Sequence, residues 1–385
     1  MSSKREMSTI AVRAGLESDK QHGAIVPPLH LSSNFAFAGY GDTPQYDYTR
    51  SGNPTRDALA DALRDLEGGA GAIVTSSGMA AITLVMQLLK SEDLLIAPHD
   101  CYGGTYRLFE SLAAKGQFKV QFVDQNDNSA LSAAIMRQPR LIWVETPSNP
   151  LLRIVDIEQV SKLAKSYDAL LAVDNTFMSP ALQQPISLGA DIVIHSTTKY
   201  LNGHSDVVGG AVIVNTDELA EELNYWANNL GLTGSPFDSY LTMRGLRTLH
   251  ARLRLHEENT LHLARILDKH SAVRRTYYPG LVDHPGHDIA CRQQQGFGGM
   301  LSFELKGGQA AVRTFVEHLR YFSLAESLGG VESLVCHPAS MTHAPMSEEV
   351  LALAGISKDL IRLSVGIENR EDLATDVLDA LEAVN

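Results

Sequence analysis

Seven short apolar runs, separated by amphipathic segments, constrain the fold of this chain more than any other feature. Runs that are apolar throughout, alternating with helical patterns, predict strands buried on both faces of a mostly parallel α/β sheet. Several runs end in a polar residue, namely Asp124, Glu145, Asp174 and Ser196. Because ligands bind beyond the carboxyl ends of such strands, we expect the site there. The runs occupy residues 72–75, 93–98, 119–124, 140–147, 170–175, 191–196 and 209–214.

The segments on either side of this block have different patterns. Residues 1–56 are rich in turn formers and have little periodicity, which predicts an N-terminal arm lying on another surface, such as a neighbouring subunit. We expect the sheet-forming domain to span residues 57–249. A long polar helical stretch around Leu246 to His270 then leads to a smaller α/β domain, residues 250–385. Its strand-like segments are at 296–305, 332–339 and 360–368.

Composition excludes several classes of protein. A formal net charge of -13 argues against a general binder of nucleic acid or anionic membranes, which needs a basic face. Cys101, Cys291 and Cys336 are odd in number and widely spaced, so we predict no disulfide framework and a reducing compartment. The N-terminus has no apolar leader pattern, and no apolar run is long enough to span a bilayer. We therefore expect a soluble cytoplasmic protein.

The stretch D-I-V-I-H-S-T-T-K-Y-L-N-G-H-S, residues 191–205, places Lys199 at the end of a predicted strand. Most lysines are simply exposed at the surface. A lysine used as a nucleophile is instead partly buried, most often to hold an aldehyde as a Schiff base. The segment S-S-G-M-A-A-I at 76–82 follows another predicted strand and opens a helix, so Gly78 marks a weak candidate for a phosphate site. The hydroxyl groups of Ser196 and Thr198 strengthen that hypothesis.

Two further strand-end residues complete the pattern. Asp174 is either a turn or helix-capping carboxylate, or the partner of a protonated ring nitrogen. Tyr102 is either a core tyrosine or an aromatic ring that stacks on a flat cofactor. A lysine, hydroxyl donors, an acid and an aromatic ring at the strand ends of one domain together predict a pyridoxal 5'-phosphate site. His284 and His287 have only loose metal-ligand spacing and flank a Pro-Gly turn, so we predict no metal.

The chain resembles the Cys/Met-metabolism family of pyridoxal-phosphate enzymes over nearly its whole length. The motifs are Y-T-R-S-G-N-P-T-R, L-E-G-G-A, S-S-G-M-A-A, E-T-P-S-N-P, V-D-N-T-F, the lysine stretch, A-E-S-L-G-G-V-E-S-L and L-I-R-L-S-V-G-I-E. The resemblance implies an aminotransferase-like large domain (fold type I) and a smaller C-terminal α/β domain. It also implies a homotetramer built from tight dimers, acting on small amino-acid substrates.

The same resemblance implies roles for individual residues. Lys199 would carry the cofactor as a Schiff base and act with Tyr102 in catalysis. The cofactor would further contact Ser77, Gly78, Met79, Asn149, Asp174, Ser196 and Thr198 of one subunit, and Tyr48 and Arg50 of its neighbour. Arg362 and Ser327 would bind the substrate α-carboxylate. The remaining substrate-binding positions that the family implies are Glu326, Arg107 and Asp47.

Within the family, the sequence is most similar to bacterial cystathionine γ-synthases. This similarity implies γ-replacement, in which O-succinylhomoserine and L-cysteine give cystathionine and succinate, a transsulfuration step toward methionine. Glu326 matches the γ-synthases and γ-lyases, and Gly104 replaces the cysteine of methionine γ-lyases. Ser51 stands where some succinyl-using enzymes have a second arginine, which leaves Arg107 to meet a distal carboxylate. The alternatives are a cystathionine γ-lyase, an enzyme using O-acetylhomoserine, or a non-catalytic regulatory protein that binds the cofactor.

Overall fold

The seven apolar runs form one seven-stranded sheet in the computed structural model, which describes residues 5–344 and 346–384. The strand order is β1-β7-β6-β5-β4-β2-β3, and β2 to β6 run parallel while β7 is antiparallel to both neighbours. The prediction of a mostly parallel sheet is therefore confirmed. The strands are β1 Gly71–Thr75, β2 Leu94–Pro98, β3 Lys119–Val123, β4 Leu141–Glu145, β5 Leu170–Asp174, β6 Ile192–Ser196 and β7 Gly210–Val214.

Strand β4 illustrates why most of these runs are continuously apolar. Leu141 and Trp143 pack into one hydrophobic cluster, and the alternating Ile142 and Val144 pack into another. Both faces of the strand are therefore covered. The helices in this part of the chain are α1 Met7–Val12, α2 Pro54–Glu67, α3 Gly78–Val85, α4 Gly103–Ala114, α5 Asn128–Ile135, α6 Ile157–Ser166, α7 Ser179–Leu182, α8 Asp217–Leu230, α9 Pro236–Leu246 and α10 Leu249–Lys269, with 3₁₀ turns at Met86–Leu88 and Pro185–Leu188.

A second sheet, with order β10-β11-β12-β9-β8, follows the long helix α10 that the sequence predicted. Helices α10, α12 and α14 contribute to its hydrophobic core around Phe303 and Phe315. This half contains β8 Val273–Tyr277, β9 Met300–Leu305, β10 Ser323–Leu324, β11 Leu334–Cys336 and β12 Leu360–Ser364, with helices α11 His287–Gln293, α12 Gly308–His318, α13 Glu348–Ala354 and α14 Arg370–Glu382 and a 3₁₀ turn at Pro338–Ser340.

The sequence missed β8 and β10 for a physical reason. Strand β8, V-R-R-T-Y, is an edge strand whose two arginines are exposed, and β10 consists of two exposed residues. Neither segment contains the apolar run on which strand prediction depends.

Among the described residues before α2, regular structure is limited to α1 and one isolated bridge between Asn34 and Tyr48. Several apolar side chains of this N-terminal segment are exposed, including Ile25, Leu31 and Phe37. Its role as a subunit-binding arm and the domain limits at 56/57 and 249/250 stay predictions. Within the described residues, no helix combines the length and apolar character needed to cross a membrane.

Candidate active site

A cavity of about 350 Å³ lies at the carboxyl ends of β4, β5 and β6. Residues of the second half of the chain close it, because Glu326, Ser327 and Arg362 line the same cavity as Lys199 and Asp174. The cavity therefore lies where the strand ends predict the site. From the residues predicted to contact cofactor or substrate, the lining contains Ser77, Gly78, Met79, Tyr102, Asn149, Asp174, Ser196, Thr198, Lys199, Glu326, Ser327 and Arg362.

The start of α3 forms one end of the cavity. The Ser77 hydroxyl accepts the Ala80 N–H at 3.0 Å, which caps the helix. The N–H groups at a helix start have no intrahelical acceptor, and the helix dipole favours an anion there. Residue 78 must be very small, since a Cβ at that position would lie 2.8 Å from the Cβ of Ser196. Glycine thus allows the helix start and the end of β6 to approach each other, as a phosphate site between them requires.

Thr198 lines this end of the cavity, but its hydroxyl already has partners. It accepts the Gly209 N–H at 3.0 Å and lies 3.3 Å from the Gly209 carbonyl oxygen. The structure therefore brings Thr198 to the predicted phosphate end while using its hydroxyl to join the β6 and β7 ends. Ser196 lies beside Gly78.

Asp174 and Tyr102 also line the cavity. The Asp174 carboxylate accepts the Thr176 N–H at 3.0 Å, and burial raises the pKa of this carboxyl above its ordinary value. A carboxylate in such surroundings is stabilised by a cation, and a protonated ring nitrogen fits that requirement. The Tyr102 ring packs over Gly104, where a Cβ would meet the ring at 2.6 Å and the Met79 sulfur at 3.0 Å. The ring position therefore depends on glycine at 104.

Lys199 points its amine toward the second half of the chain. Its Nζ donates to the Ser327 hydroxyl at 2.6 Å. Burial, followed by the nearby Arg362 guanidinium, lowers the pKa of Lys199 to about 8, while the Glu326 carboxylate opposes that change. With this pKa roughly a tenth of the Lys199 amines are uncharged at pH 7, far more than for a lysine of ordinary pKa, and the uncharged form is the one that acts as nucleophile and proton acceptor.

Arg362, on β12, is buried and forms hydrogen bonds with residues of both halves of the chain. Its Nη1 donates to Asn149 Oδ1 at 2.8 Å and its Nη2 to the Ser327 carbonyl at 2.9 Å. Its Nε is buried and has no hydrogen-bond partner among the described residues, so a donor is left for a ligand. Ser327 has a φ of 83°, a left-handed conformation that costs about 1–3 kcal/mol for a non-glycine residue. Its contacts with Lys199 and Arg362 hold it there.

Four predicted residues lie outside the cavity lining. Asp47, Tyr48 and Arg50 are exposed on the N-terminal segment, where Arg50 Nε donates to Asn228 Oδ1 at 3.0 Å. Arg107 is exposed near the start of α4. Roles for the first three on a neighbouring subunit, and for Arg107 toward a distal carboxylate, stay predictions.

The cavity also contains residues to which the sequence assigned no role. Glu145 was noted only as a polar strand end, and no individual role was predicted for Thr176, Phe177 or Thr342. Glu145 had the one usable indication, since it ends β4 beside Asp174 at the end of β5.

A partly buried lysine with a lowered pKa, in one cavity with a carboxylate and an aromatic ring at the ends of parallel strands, defines the class of pyridoxal-phosphate-dependent enzymes. Comparison with known proteins identifies the family. Residues 8–382 match the model of the Cys/Met metabolism PLP-dependent enzymes. The chain belongs to this family, and pyridoxal 5'-phosphate is its cofactor.

Relatives with different reactions are similar to this chain. It is 55% identical to a cystathionine γ-synthase of Escherichia coli over 382 residues, covering 99% of both chains. A cystathionine β-lyase of Lactococcus lactis subsp. cremoris is 48% identical, covering 98% of this chain and 99% of the lyase. A crystal structure of cystathionine γ-synthase from Xanthomonas oryzae pv. oryzae, in complex with aminoacrylate and cysteine, superposes with a TM-score of 0.98. It is 59% identical, and 99% of this chain and 98% of that chain are covered. The predicted fold type is therefore confirmed.

Proposed function

We propose that this protein catalyses γ-replacement, joining O-succinylhomoserine to L-cysteine to give cystathionine and succinate. The observation that carries the proposal is that Ser327 connects Lys199, which would act as the base, to Arg362, which would bind the substrate carboxylate. Lys199 Nζ bonds the Ser327 hydroxyl, and Arg362 bonds the carbonyl of the same residue. An amino acid held by Arg362 would therefore present its Cα next to Lys199. The similarity to γ-synthases of E. coli and X. oryzae supports this reaction.

In this proposal residues that line the cavity would hold the cofactor. The helix start at Ser77, Gly78 and Met79, together with Ser196 and Thr198, would bind its phosphate. Asp174 would bind the ring nitrogen, Tyr102 would stack on the ring, Asn149 would lie beside the ring hydroxyl, and Lys199 would hold it covalently. When bound, pyridoxal phosphate supplies an electron sink that stabilises negative charge at the substrate Cα.

Arg362 would orient the substrate. A guanidinium presents two parallel N–H groups to a carboxylate, and each charge-assisted hydrogen bond contributes about 1.5–3 kcal/mol. Asn149 and the Ser327 carbonyl already fix the plane of this guanidinium. The Cα–H bond is then directed toward Lys199, and holding the reactants in place lowers the barrier.

Lys199 would move the protons. Its uncharged amine takes the proton from Cα, releases it, and then takes a second proton from Cβ, which allows the acyl group to leave Cγ as a carboxylate. The thiol of cysteine then adds at Cγ and loses its proton to solvent, and the amine returns protons to Cβ and Cα. Because the pKa of Lys199 is lowered to about 8, it can accept and release protons near neutral pH. Glu326, whose charge raises the pKa of Lys199, would help the amine keep a proton between these steps.

The active assembly in this proposal is a homotetramer of tight dimers. Tyr48 and Arg50 would reach the cofactor phosphate of a neighbouring subunit, with Asp47 near the substrate. Their exposure, and that of apolar side chains such as Ile25 and Leu31, supports a second copy covering this segment.

A second candidate is cleavage of cystathionine, because a β-lyase is 48% identical to this chain. The acyl group is a further open choice, since Arg107 would bind a succinyl carboxylate and an acetyl group has none. We therefore compare three reactions of the purified holoenzyme: O-succinylhomoserine plus cysteine, O-acetylhomoserine plus cysteine, and cystathionine alone.

We expect the highest kcat/KM with O-succinylhomoserine, and Lys199→Ala should abolish all three reactions. Arg107→Gln should lower kcat/KM for the succinyl donor while changing that for the acetyl donor little. Breakdown of cystathionine faster than its synthesis would replace the synthase by the lyase. A higher kcat/KM for the acetyl donor would instead change only the assigned substrate.

A further inference from the structure

Glu145 ends β4 at the cavity and has no role in the mechanism above. It is 5% exposed, and its two carboxylate oxygens accept two backbone N–H groups. Oε2 accepts the Tyr102 N–H at 2.9 Å, and Oε1 accepts the Asn149 N–H at 3.2 Å. Tyr102 lies in the loop after β2, whereas Asn149 lies in the loop after β4. One side chain therefore joins two loops that each contribute a residue to the cavity.

The hydrogen bonds continue from Asn149 to the base. Asn149 Oδ1 accepts from Arg362 Nη1 at 2.8 Å, and Arg362 Nη2 donates to the Ser327 carbonyl at 2.9 Å. The Ser327 hydroxyl accepts from Lys199 Nζ at 2.6 Å. A continuous hydrogen-bonded network thus runs from the backbone of Tyr102 to the amine of Lys199. Within this network, Glu145 connects Tyr102 to Asn149 and, through Asn149, to Arg362.

The surroundings of Glu145 make an ionised carboxylate at this position unfavourable in free energy. It lies directly opposite Asp174 in the register of β4 and β5, and both carboxyls line the cavity. Burial, followed by the charge of Asp174, raises the pKa of Glu145 well above its ordinary value. No ion pair to Glu145 is found among residues 5–344 and 346–384. The nearby Asp100, in contrast, pairs with Arg153 at 3.1 Å and accepts from the Ser148 hydroxyl at 2.8 Å.

A loop-stabilising role alone does not account for this arrangement. An uncharged acceptor of similar shape would satisfy a backbone N–H without placing a second acid beside Asp174. What a carboxylate adds is two equivalent acceptors on one rigid group, which fix both loops relative to each other.

We propose that Glu145 is a positioning residue. Through its two backbone hydrogen bonds it places the Tyr102 ring against the cofactor, and it places Asn149, with the Arg362 side chain bonded to it, against the substrate carboxylate. The part concerning Arg362 rests on the proposed function. The part concerning Tyr102 requires only that the protein binds pyridoxal phosphate.

The test replaces one of the two acceptors. In Glu145→Gln the amide oxygen can accept one N–H, but the amide nitrogen cannot accept the other. We expect the dissociation constant of pyridoxal phosphate, titrated into the apoprotein, to rise about tenfold. The visible circular dichroism of the bound cofactor should weaken, because this signal reports how the ring is held. KM for the amino-acid substrate should rise about tenfold, with a smaller change in kcat.

Asp376→Asn is the matched control, since Asp376 is a buried carboxylate that also accepts two backbone N–H groups, from Arg320 and Tyr321, and does not line the cavity. We expect it to lower the thermal midpoint while changing the cofactor dissociation constant and the dichroism by less than about threefold. Equal changes in both variants would mean that Glu145 acts only through general stability, and the proposal would be overturned.

Glu145→Asp covers the case in which the glutamine variant does not fold. It keeps the charge but withdraws the carboxylate by about 1.5 Å, one C–C bond, so it cannot reach both N–H groups. Wild-type cofactor affinity and dichroism in this variant would refute the proposal. The cofactor affinity and the dichroism are both measured without turnover. They therefore test the role of Glu145 even if the assays assign a reaction other than γ-replacement.

Discussion

Replacing Lys199 by methionine should make the apoprotein more stable at neutral pH, although it removes the central catalytic residue. Methionine keeps most of the length and apolar contacts of the lysine stem but has no charge. In the folded apoprotein the pKa of Lys199 falls from 10.5 to about 8, chiefly through burial. At about 1.4 kcal/mol for each factor of ten in proton affinity, the protonated lysine costs the fold about 3 kcal/mol.

The sign of the pH dependence follows from proton linkage. Below pH 8 the lysine is protonated in both the folded and the unfolded chain, so the full cost is present. Between pH 8 and 10.5 the unfolded chain binds more protons than the folded one, so wild-type stability rises with pH. Above pH 10.5 the cost is gone. Loss of the hydrogen bond to Ser327 offsets about 1 kcal/mol at every pH.

We therefore expect Lys199→Met to be about 2 kcal/mol more stable than wild type at pH 7. Between pH 7 and pH 10 this advantage should fall by about 2–3 kcal/mol. Urea denaturation of both apoproteins, at one fixed protein concentration, measures the difference. Lys162→Met, at an exposed lysine, is the control and should give a difference within about 0.5 kcal/mol at both pH values. A difference between wild type and Lys199→Met that does not change with pH would refute the reasoning.

Three further substitutions test other contacts in the cavity. Asp174→Asn should weaken pyridoxal phosphate binding at least a hundredfold, because about 3–5 kcal/mol is lost when a buried charge loses its partner; titration of the apoprotein measures this, and an unchanged affinity would exclude the ring-nitrogen role. Gly104→Ala should displace the Tyr102 ring and cost about 1–3 kcal/mol in stability or cofactor affinity, seen in the thermal midpoint and in the same titration; no change in either would show that the ring is placed by other contacts. Arg362→Lys should lower kcat/KM about 10–100-fold while leaving cofactor affinity within about threefold, since lysine cannot present two parallel donors; steady-state kinetics with full retention of kcat/KM would contradict the carboxylate role.

The sequence predicted the central sheet and most of the cavity because both depend on local patterns. A strand buried on both faces must be apolar throughout, as β4 shows, and its end is marked by the first polar residue. Asp174, Ser196 and Lys199 could therefore be placed at strand ends before any contact was known. Their chemical roles came from the types of residue and from the family resemblance, and the cofactor is confirmed by the family match.

Contacts between distant segments could not be predicted from the same patterns. Arg362 bonds Asn149 from 213 residues away, and Ser327 bonds Lys199 across 128 residues. Polar residues in loops have no periodicity that indicates where they meet, and the exposed edge strand β8 has no apolar run. The role of Glu145 as a link between two loops is equally invisible in E-T-P-S-N-P.

The sequence by itself thus determined which chemical groups are available and at which end of the sheet they collect, because burial imposes a short-range pattern on residue types. Only the tertiary structure decided how those groups act on one another. The lowered pKa of Lys199 arises from its burial in the folded chain and from the charge of Arg362. Electrostatic effects of this kind depend on distance in space, which separation along the chain does not determine.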